Sequence, residues 1–186
     1  MSLAEGDAAP PFEMPASSGR TVSLAGQAGR PFVLYFYPKA DTPGCTKEAQ
    51  AFQEALPEFG GIGVEVIGVS KDAMAPIERF AGKYGLTFPL ASDPCGVTEA
   101  YGAWVKKSMY GKTYMGTDRC TVLVDAQGRV ARIWRKVKVP GHTAEVMAAA
   151  RALSTTWALL AQRVVGTGAC SRDTVWAGRA GRTACS

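Results

Sequence analysis

An α/β fold with a mixed central sheet is what this 186-residue sequence predicts. Three features point to it: apolar runs of strand length, amphipathic stretches between them, and a late pair of runs joined by a glycine turn. Residues 31–37, Pro-Phe-Val-Leu-Tyr-Phe-Tyr, are apolar without alternation, as in a central strand covered on both faces. Residues 64–70 and 121–125 read the same way. Ala131-Arg132-Ile133-Trp134-Arg135 alternates, as a strand with one wet face does. Asp125-Ala126-Gln127-Gly128 separates these last two, which predicts an antiparallel hairpin. Thr87-Phe88-Pro89-Leu90 is a shorter apolar piece whose proline marks a strand start or an edge.

The helices fall between. Ala49, Phe52, Leu56 and Phe59 recur at three- and four-residue spacing and share one face. Pro76 suits the first turn of a second helix reaching Tyr84, with Ile77 and Phe80 on its buried side. Val97 to Tyr101 is a short third. His142 to Leu153 is the fourth, carrying Val146, Met147, Ala150 and Leu153. Residues 1–153 thus read as one domain. Residues 154–186 read as a C-terminal extension, loose or partly helical, because Gly166 to Ser186 is rich in small and polar residues without a period.

Composition excludes several classes. With 47% hydrophobic, 20% charged and 9% aromatic residues, the chain is not disordered, collagenous or a coiled coil. No run approaches the roughly 20 apolar residues of a membrane span, and no basic segment followed by an apolar run opens the chain, so a cytoplasmic protein is expected. Net charge is +5, of which residues 154–186 carry +3. The Lys106-Lys107 and Arg135-Lys136 pairs stand apart, without the clustered basic face that nucleic acid requires.

Five cysteines (Cys45, Cys95, Cys120, Cys170, Cys185) lie far apart with no C-x-x-C pair. That argues against a disulfide framework and a zinc site. The single histidine, His142, opens a helix. A reactive cysteine here needs an activator other than histidine. Tyr37-Pro38-Lys39-Ala40-Asp41-Thr42-Pro43-Gly44-Cys45 supplies one: a buried strand ends at Pro38, and a helix starts with Thr42 as N-cap and Pro43 at its first position. Cys45 then lies in the first turn, among unpaired N–H groups, where the positive end of the helix dipole favours a thiolate. Gly44 leaves room for a small substrate. Arg119, immediately before the strand at 121–125, is the candidate cation. The competing reading is a buried structural cysteine. Its weakness is position, because Cys45 opens a helix at the carboxyl end of a central strand, where α/β folds place ligands.

Pro38-x-x-x-Thr42-x-x-Cys45 resembles the active-site motif of the peroxiredoxins. The fuller string through Thr46, Glu48 and Ala49 resembles the peroxiredoxin Q, or bacterioferritin comigratory protein, branch of these AhpC/TSA-like proteins. Gly6-Asp7-x-Ala9-Pro10, Phe88-Pro89-Leu90-x-Ser92-Asp93, Ala100-Tyr101-Gly102 and Arg119-x-Thr121-x-Leu123-Val124-Asp125 match further blocks in order. The resemblance covers about residues 3 to 153. It implies a thioredoxin-like fold, a mixed sheet flanked by helices, and reduction of hydrogen peroxide and organic hydroperoxides without metal or organic cofactor. Cys45 would be the peroxidatic cysteine, cycling through a sulfenic acid. Thr42 and Arg119 would polarise the peroxide, Pro38 would shield it from water, the Gly44 and Cys45 amides would contact it, and Glu48 would orient Arg119. The electron donor implied is thioredoxin, glutaredoxin or another thiol, and the branch implies a monomer.

The pattern also departs from that branch. Many members carry a resolving cysteine five residues after the peroxidatic one, where this chain has Gln50; others place it near Phe80-Ala81, again without cysteine here. Cys95 is the best internal candidate, and a cycle with one cysteine and an external thiol is the first expectation. A peroxide sensor or holdase on the same fold, oxidised once without turnover, is the rival.

Overall fold

The computed structural model describes residues 3–109 and 112–165, with backbone alone for residues 109, 112 and 155–165. Its central strands are β3 (Phe32–Phe36), β4 (Glu65–Ser70), β5 (Leu90–Ser92) and β8 (Cys120–Val124), joined at the edges by β1 (Glu13–Ala16), β2 (Arg20–Ser23) and β9 (Val130–Arg135). The order is β2-β1-β5-β4-β3-β8-β9. β3 pairs in parallel with β4 and β4 with β5, whereas β8 runs antiparallel to β3 and to β9. The mixed sheet is the one the apolar runs predict.

Burial of β3 on both faces divides the core in two. Val33, Tyr35 and Tyr37 join α1 (Pro43–Gly61), α2 (Met74–Tyr84) and α4 (His142–Val165) on one side, with Phe52, Phe59, Phe80 and Val146. Phe32, Leu34 and Phe36 face the other side, with Phe12, Met14, Val122 and Tyr101. Each fully buried large side chain contributes about 1.5–3 kcal/mol. Tyr35 stacks on Phe52 at 4.7 Å between ring centroids. β4 accommodates that ring at Gly68, where a Cβ would come within 2.7 Å of the Tyr35 hydroxyl.

The predicted β8–β9 hairpin forms, turning at Gly128 with φ 75°, a conformation that glycine adopts without a Cβ clash. One reading needs correction, and two pairs of strands escape the sequence pattern. The strand expected at Thr87–Leu90 is β5 at Leu90–Ser92; Pro89 precedes it, its carbonyl accepting from Gly68 N–H at 3.0 Å. β1 and β2 escape the sequence pattern because each has four residues and lies toward an edge, so periodicity has nothing to accumulate on. β6 (Trp104–Met109) and β7 (Lys112–Thr117) escape it because they form a separate two-stranded ribbon rather than part of the sheet. The short helix read at Val97–Tyr101 is α3 (Val97–Ala100).

α4 continues past Leu153 to Val165, and Ser154 Oγ donates to the Ile62 carbonyl at 3.1 Å, tying this stretch to the end of α1. Cys170 and Cys185 lie outside the described residues.

Candidate active site

The loop from Pro38 to Thr42 connects the carboxyl end of β3 to α1, and neighbouring strands hold it. Tyr37 N–H donates to the Val69 carbonyl at 3.0 Å, and Ala40 N–H donates to Asp72 Oδ2 at 2.6 Å. Asp41 takes a left-handed φ of 57°. Its carboxylate accepts from Lys83 Nζ at 2.9 Å and from the Tyr84 hydroxyl at 2.7 Å, both on α2. Those bonds depress the Asp41 carboxyl below its usual range. The structure adds Asp72, Lys83 and Tyr84 as holders of the loop. Only the position of Asp72 just past a central strand hinted at this in the sequence.

Thr42 is the N-cap of α1, in extended conformation, and Pro43 follows at the first helical position. The Thr42 hydroxyl does not cap the helix; it turns back and donates to the Lys39 carbonyl at 3.1 Å. The first intrahelical bond of α1 runs from Thr46 N–H to the Thr42 carbonyl. The Gly44 and Cys45 amides precede it and have no acceptor within the helix. Cys45 itself is 1% exposed.

Arg119 closes the site from the sheet. It immediately precedes β8, whose first residue, Cys120, lies opposite Phe36 of β3. One guanidinium nitrogen, Nη2, donates to Cys45 Sγ at 3.3 Å; the other, Nη1, donates to Glu48 Oε2 at 3.0 Å. Gly44 serves this approach, since a Cβ there would come within 2.7 Å of Arg119 Nη2. The room expected beside Gly44 for a small substrate is occupied by the guanidinium. Glu48, one turn along α1, has a side chain 2% exposed. Burial raises its carboxyl to about 7, with the Arg119 charge and hydrogen bond opposing that rise. Tyr35 and Tyr37 lie over the same region, and burial raises both phenols far above their usual range.

A thiol in contact with a guanidinium, beside unpaired helix amides, is the arrangement of a nucleophile for a small polarisable oxidant. The AhpC/TSA family model matches residues 5–133. Peroxiredoxin Bcp of Xanthomonas campestris is 42% identical over 144 residues, spanning 76% of this chain and 90% of that protein. Peroxiredoxin Bcp of Bacillus subtilis is 41% identical over 148 residues, spanning 79% and 94%. The chain belongs to the AhpC/TSA family of peroxiredoxins. Among solved structures, Xanthomonas campestris peroxiredoxin Q superposes with a TM-score of 0.74 at 41% identity, covering 77% of this chain and 91% of that one. A bacterioferritin comigratory protein from the same organism, in trapped intermediate/ligand complexes that address alkyl peroxide reduction, gives 0.74 at 40% identity, over 77% and 92%.

The thioredoxin-like fold and thiol-dependent peroxidase activity follow from this membership. Four of the residues singled out in the sequence, Cys45, Gly44, Arg119 and Glu48, come together in contact. Thr42 occupies the N-cap position of the same helix with its hydroxyl turned to Lys39, and Pro38 lines a groove that Arg119 also lines. Cys95 is apart from them: it is exposed, with its N–H donating to Asp93 Oδ1 at 3.1 Å in the loop before α3. Gln50 is exposed on α1. Among the described residues no cluster of His, Cys, Asp or Glu is arranged to hold a metal, and no helix is long and apolar enough to cross a membrane.

Proposed function

We propose that Cys45 is the peroxidatic cysteine of a one-cysteine catalytic cycle acting on hydrogen peroxide and organic hydroperoxides. The observation that carries this reading is the Arg119 fork, one nitrogen on Cys45 Sγ at 3.3 Å and the other on buried Glu48 at 3.0 Å. Glu48 fixes the guanidinium plane, and the plane fixes the cation against the sulfur.

A hydroperoxide enters between Thr42, Arg119 and the helix start. With its proton directed at the Lys39 carbonyl, the Thr42 hydroxyl has lone pairs free to accept the O–H of the peroxide. The Gly44 and Cys45 amides and Arg119 donate to the peroxide oxygens and stabilise the charge that develops as the O–O bond breaks. Cys45 Sγ attacks the terminal oxygen; the S–O bond forms, and the alkoxide leaves with the proton the thiol gave up, as alcohol or, from hydrogen peroxide, water. Cys45 is left as a sulfenic acid. Pro38 shields this chemistry from water. An external thiol, either a thioredoxin- or glutaredoxin-type protein or a small molecule, then reduces Cys45, because Gln50 stands where many relatives carry a second cysteine.

Alkyl peroxide reduction by the Xanthomonas relative supports the organic substrates. The catalytic unit is residues 1–153, working as a monomer in the cytoplasm, with residues 154–186 as an extension.

The test is steady-state hydrogen peroxide consumption with excess thioredoxin system, beside a Cys45→Ser variant, with products read by intact mass. Multiple turnovers lost at least a thousandfold in the variant are expected, with trapped Cys45 as the sulfenic acid. One Cys45-dependent oxidation per chain, without turnover under any thiol donor, would instead fit a sensor.

A further inference from the structure

Between the β6–β7 ribbon and the chain leaving β9 lies a groove of about 540 Å³, lined by Pro38, Val105, Lys106, Tyr114, Arg119 and Lys136 among others. It starts at the site, since Arg119 belongs both to its wall and to the hydrogen bond on Cys45. Its cations are of two kinds. Lys107 Nζ is held by the Thr117 carbonyl at 2.6 Å and by Asp118 at 3.5 Å, and Arg119 is held by Glu48 and Cys45. Lys106 and Lys136 are exposed, and neither has an ion pair or side-chain hydrogen bond among the described residues. Asp118 is the one acid in the lining, and Lys107 neutralises it. Lys136 takes a left-handed φ of 51°, and the next residue, Val137, donates its N–H to the Arg119 carbonyl at 3.1 Å. Lys136 is thereby fixed beside the site. Val105, Tyr114 and Val137 supply apolar surface in the same groove.

Size and charge select the occupant. Hydrogen peroxide and simple alkyl hydroperoxides carry no charge, so they have no use for these lysines; small-molecule sites run from about 300 to 1,000 Å³. Cys45 is 1% exposed. A slender molecule reaches a sulfur so enclosed with less displacement of its surroundings than a folded protein requires. We propose that this groove binds a peptide-sized low-molecular-weight thiol bearing carboxylates, which pair with Lys106 and Lys136 and direct its sulfur to oxidised Cys45. This rests on the peroxidatic reading of Cys45. The thiol sulfur attacks the sulfenic sulfur, forming the mixed disulfide and releasing the sulfenic oxygen as water with the thiol proton. A second thiol molecule attacks the bound one, returning Cys45 as a thiol and leaving as the symmetric disulfide.

The test uses the full chain and a Lys106→Gln/Lys136→Gln double variant. Cys45 is oxidised with one equivalent of peroxide, and its reduction is followed with glutathione and with neutral dithiothreitol at low salt. The glutathione-to-dithiothreitol rate ratio is expected to fall about fivefold in the double variant, the size of two surface charge pairs. Salt near 0.5 M should level the two proteins. Equal ratios overturn the proposal. So does a loss confined to oxidation of Cys45 by a carboxylate-bearing hydroperoxide, or to thioredoxin-driven reduction, because the groove then serves the peroxide or a protein. S-methylglutathione, which cannot reduce, gives a readout independent of Cys45 chemistry. Saturable, salt-sensitive binding that weakens in the double variant supports the proposal, and no binding overturns it. Failure to form any sulfenic acid breaks the peroxidase reading alone, and the binding measurement still decides the groove.

Discussion

Cys45 and Cys120 are buried to the same degree, 1% and 2% exposed, yet the fold gives them opposite chemistry. They sit on opposite faces of one sheet, Cys45 in the core under α1, α2 and α4 and Cys120 in the core with Phe36 and Val122. Consecutive residues separate them: Arg119 turns to Cys45, while Cys120 turns away, as alternate strand positions do. Burial pushes the Cys120 thiol up to about 11; Arg135 pulls it down without offsetting the desolvation, and Asp118 adds to the rise. Cys45 has the guanidinium at 3.3 Å and the opening turn of a helix. Reactivity is therefore set by which donors surround the sulfur, and exposure says nothing of it.

The largest way to break that contrast is to remove the donor. Arg119→Met leaves Cys45 buried as Cys120 is, with an apolar chain of similar length beside it. The second-order rate constant for hydrogen peroxide should fall about a hundred- to a thousandfold, the cost of one lost charge-stabilising donor. Stopped-flow oxidation measures it; a fall below tenfold would show that the helix start alone activates Cys45.

Gly44→Ala tests the same contact from the other side. The new methyl would lie within 2.7 Å of Nη2 and 3.3 Å of Cζ, atoms at the free end of a flexible side chain, so Arg119 rather than the backbone gives way. We expect about a tenfold loss in peroxide rate, with the melting temperature unchanged or higher, because alanine is the better helix former. Loss of both together would place Gly44 in the fold rather than in the site.

Glu48 sharpens the comparison through pH. Its carboxyl, raised to about 7 from 4.5, keeps a proton in the folded chain that the unfolded chain has released between those values. Stability from this group is therefore full at acid pH and lost as pH rises through about 7, a span worth about 3 kcal/mol. His142 acts in the opposite sense. Burial lowers its pKa, so its contribution is lost as pH falls. Glu48→Gln removes only the first effect. Urea midpoints from pH 5 to 8 should show wild type losing stability relative to the variant as pH rises, and parallel curves would refute the assignment.

The sequence carried the central sheet because β3, β4 and β8 are buried on both faces and read as unbroken apolar runs. It carried Cys45, Thr42 and Pro43 because helix starts have a local grammar of caps and prolines. It left the Arg119 contact open, since 74 residues separate Arg119 from Cys45 and only the pairing of β8 with β3 joins them. It misjudged Gly44 for a related reason: a glycine announces space without saying what fills it. The lysines of β6 gave no signal of their groove, because a ribbon outside the sheet buries no face and leaves no periodic trace.

The third described cysteine is the smallest and last test of the contrast. Cys95 is exposed, its backbone N–H held by Asp93 together with those of Gly96, Val97 and Thr98. That carboxylate pins the loop backbone, so the loop does not depend on the cysteine side chain. A thiol facing solvent has neither the guanidinium of Cys45 nor the burial of Cys120. Cys95→Ser should leave peroxide turnover within about twofold and stability within about 0.5 kcal/mol, as exposed substitutions do. Near-complete loss of thiol-driven turnover, with a Cys45–Cys95 disulfide in the mass of the oxidised wild type, would make Cys95 the resolving cysteine and replace the one-cysteine cycle. Retained turnover removes Cys95 from the cycle, and then the approach to Cys45 past Arg119 bears on which thiols can serve.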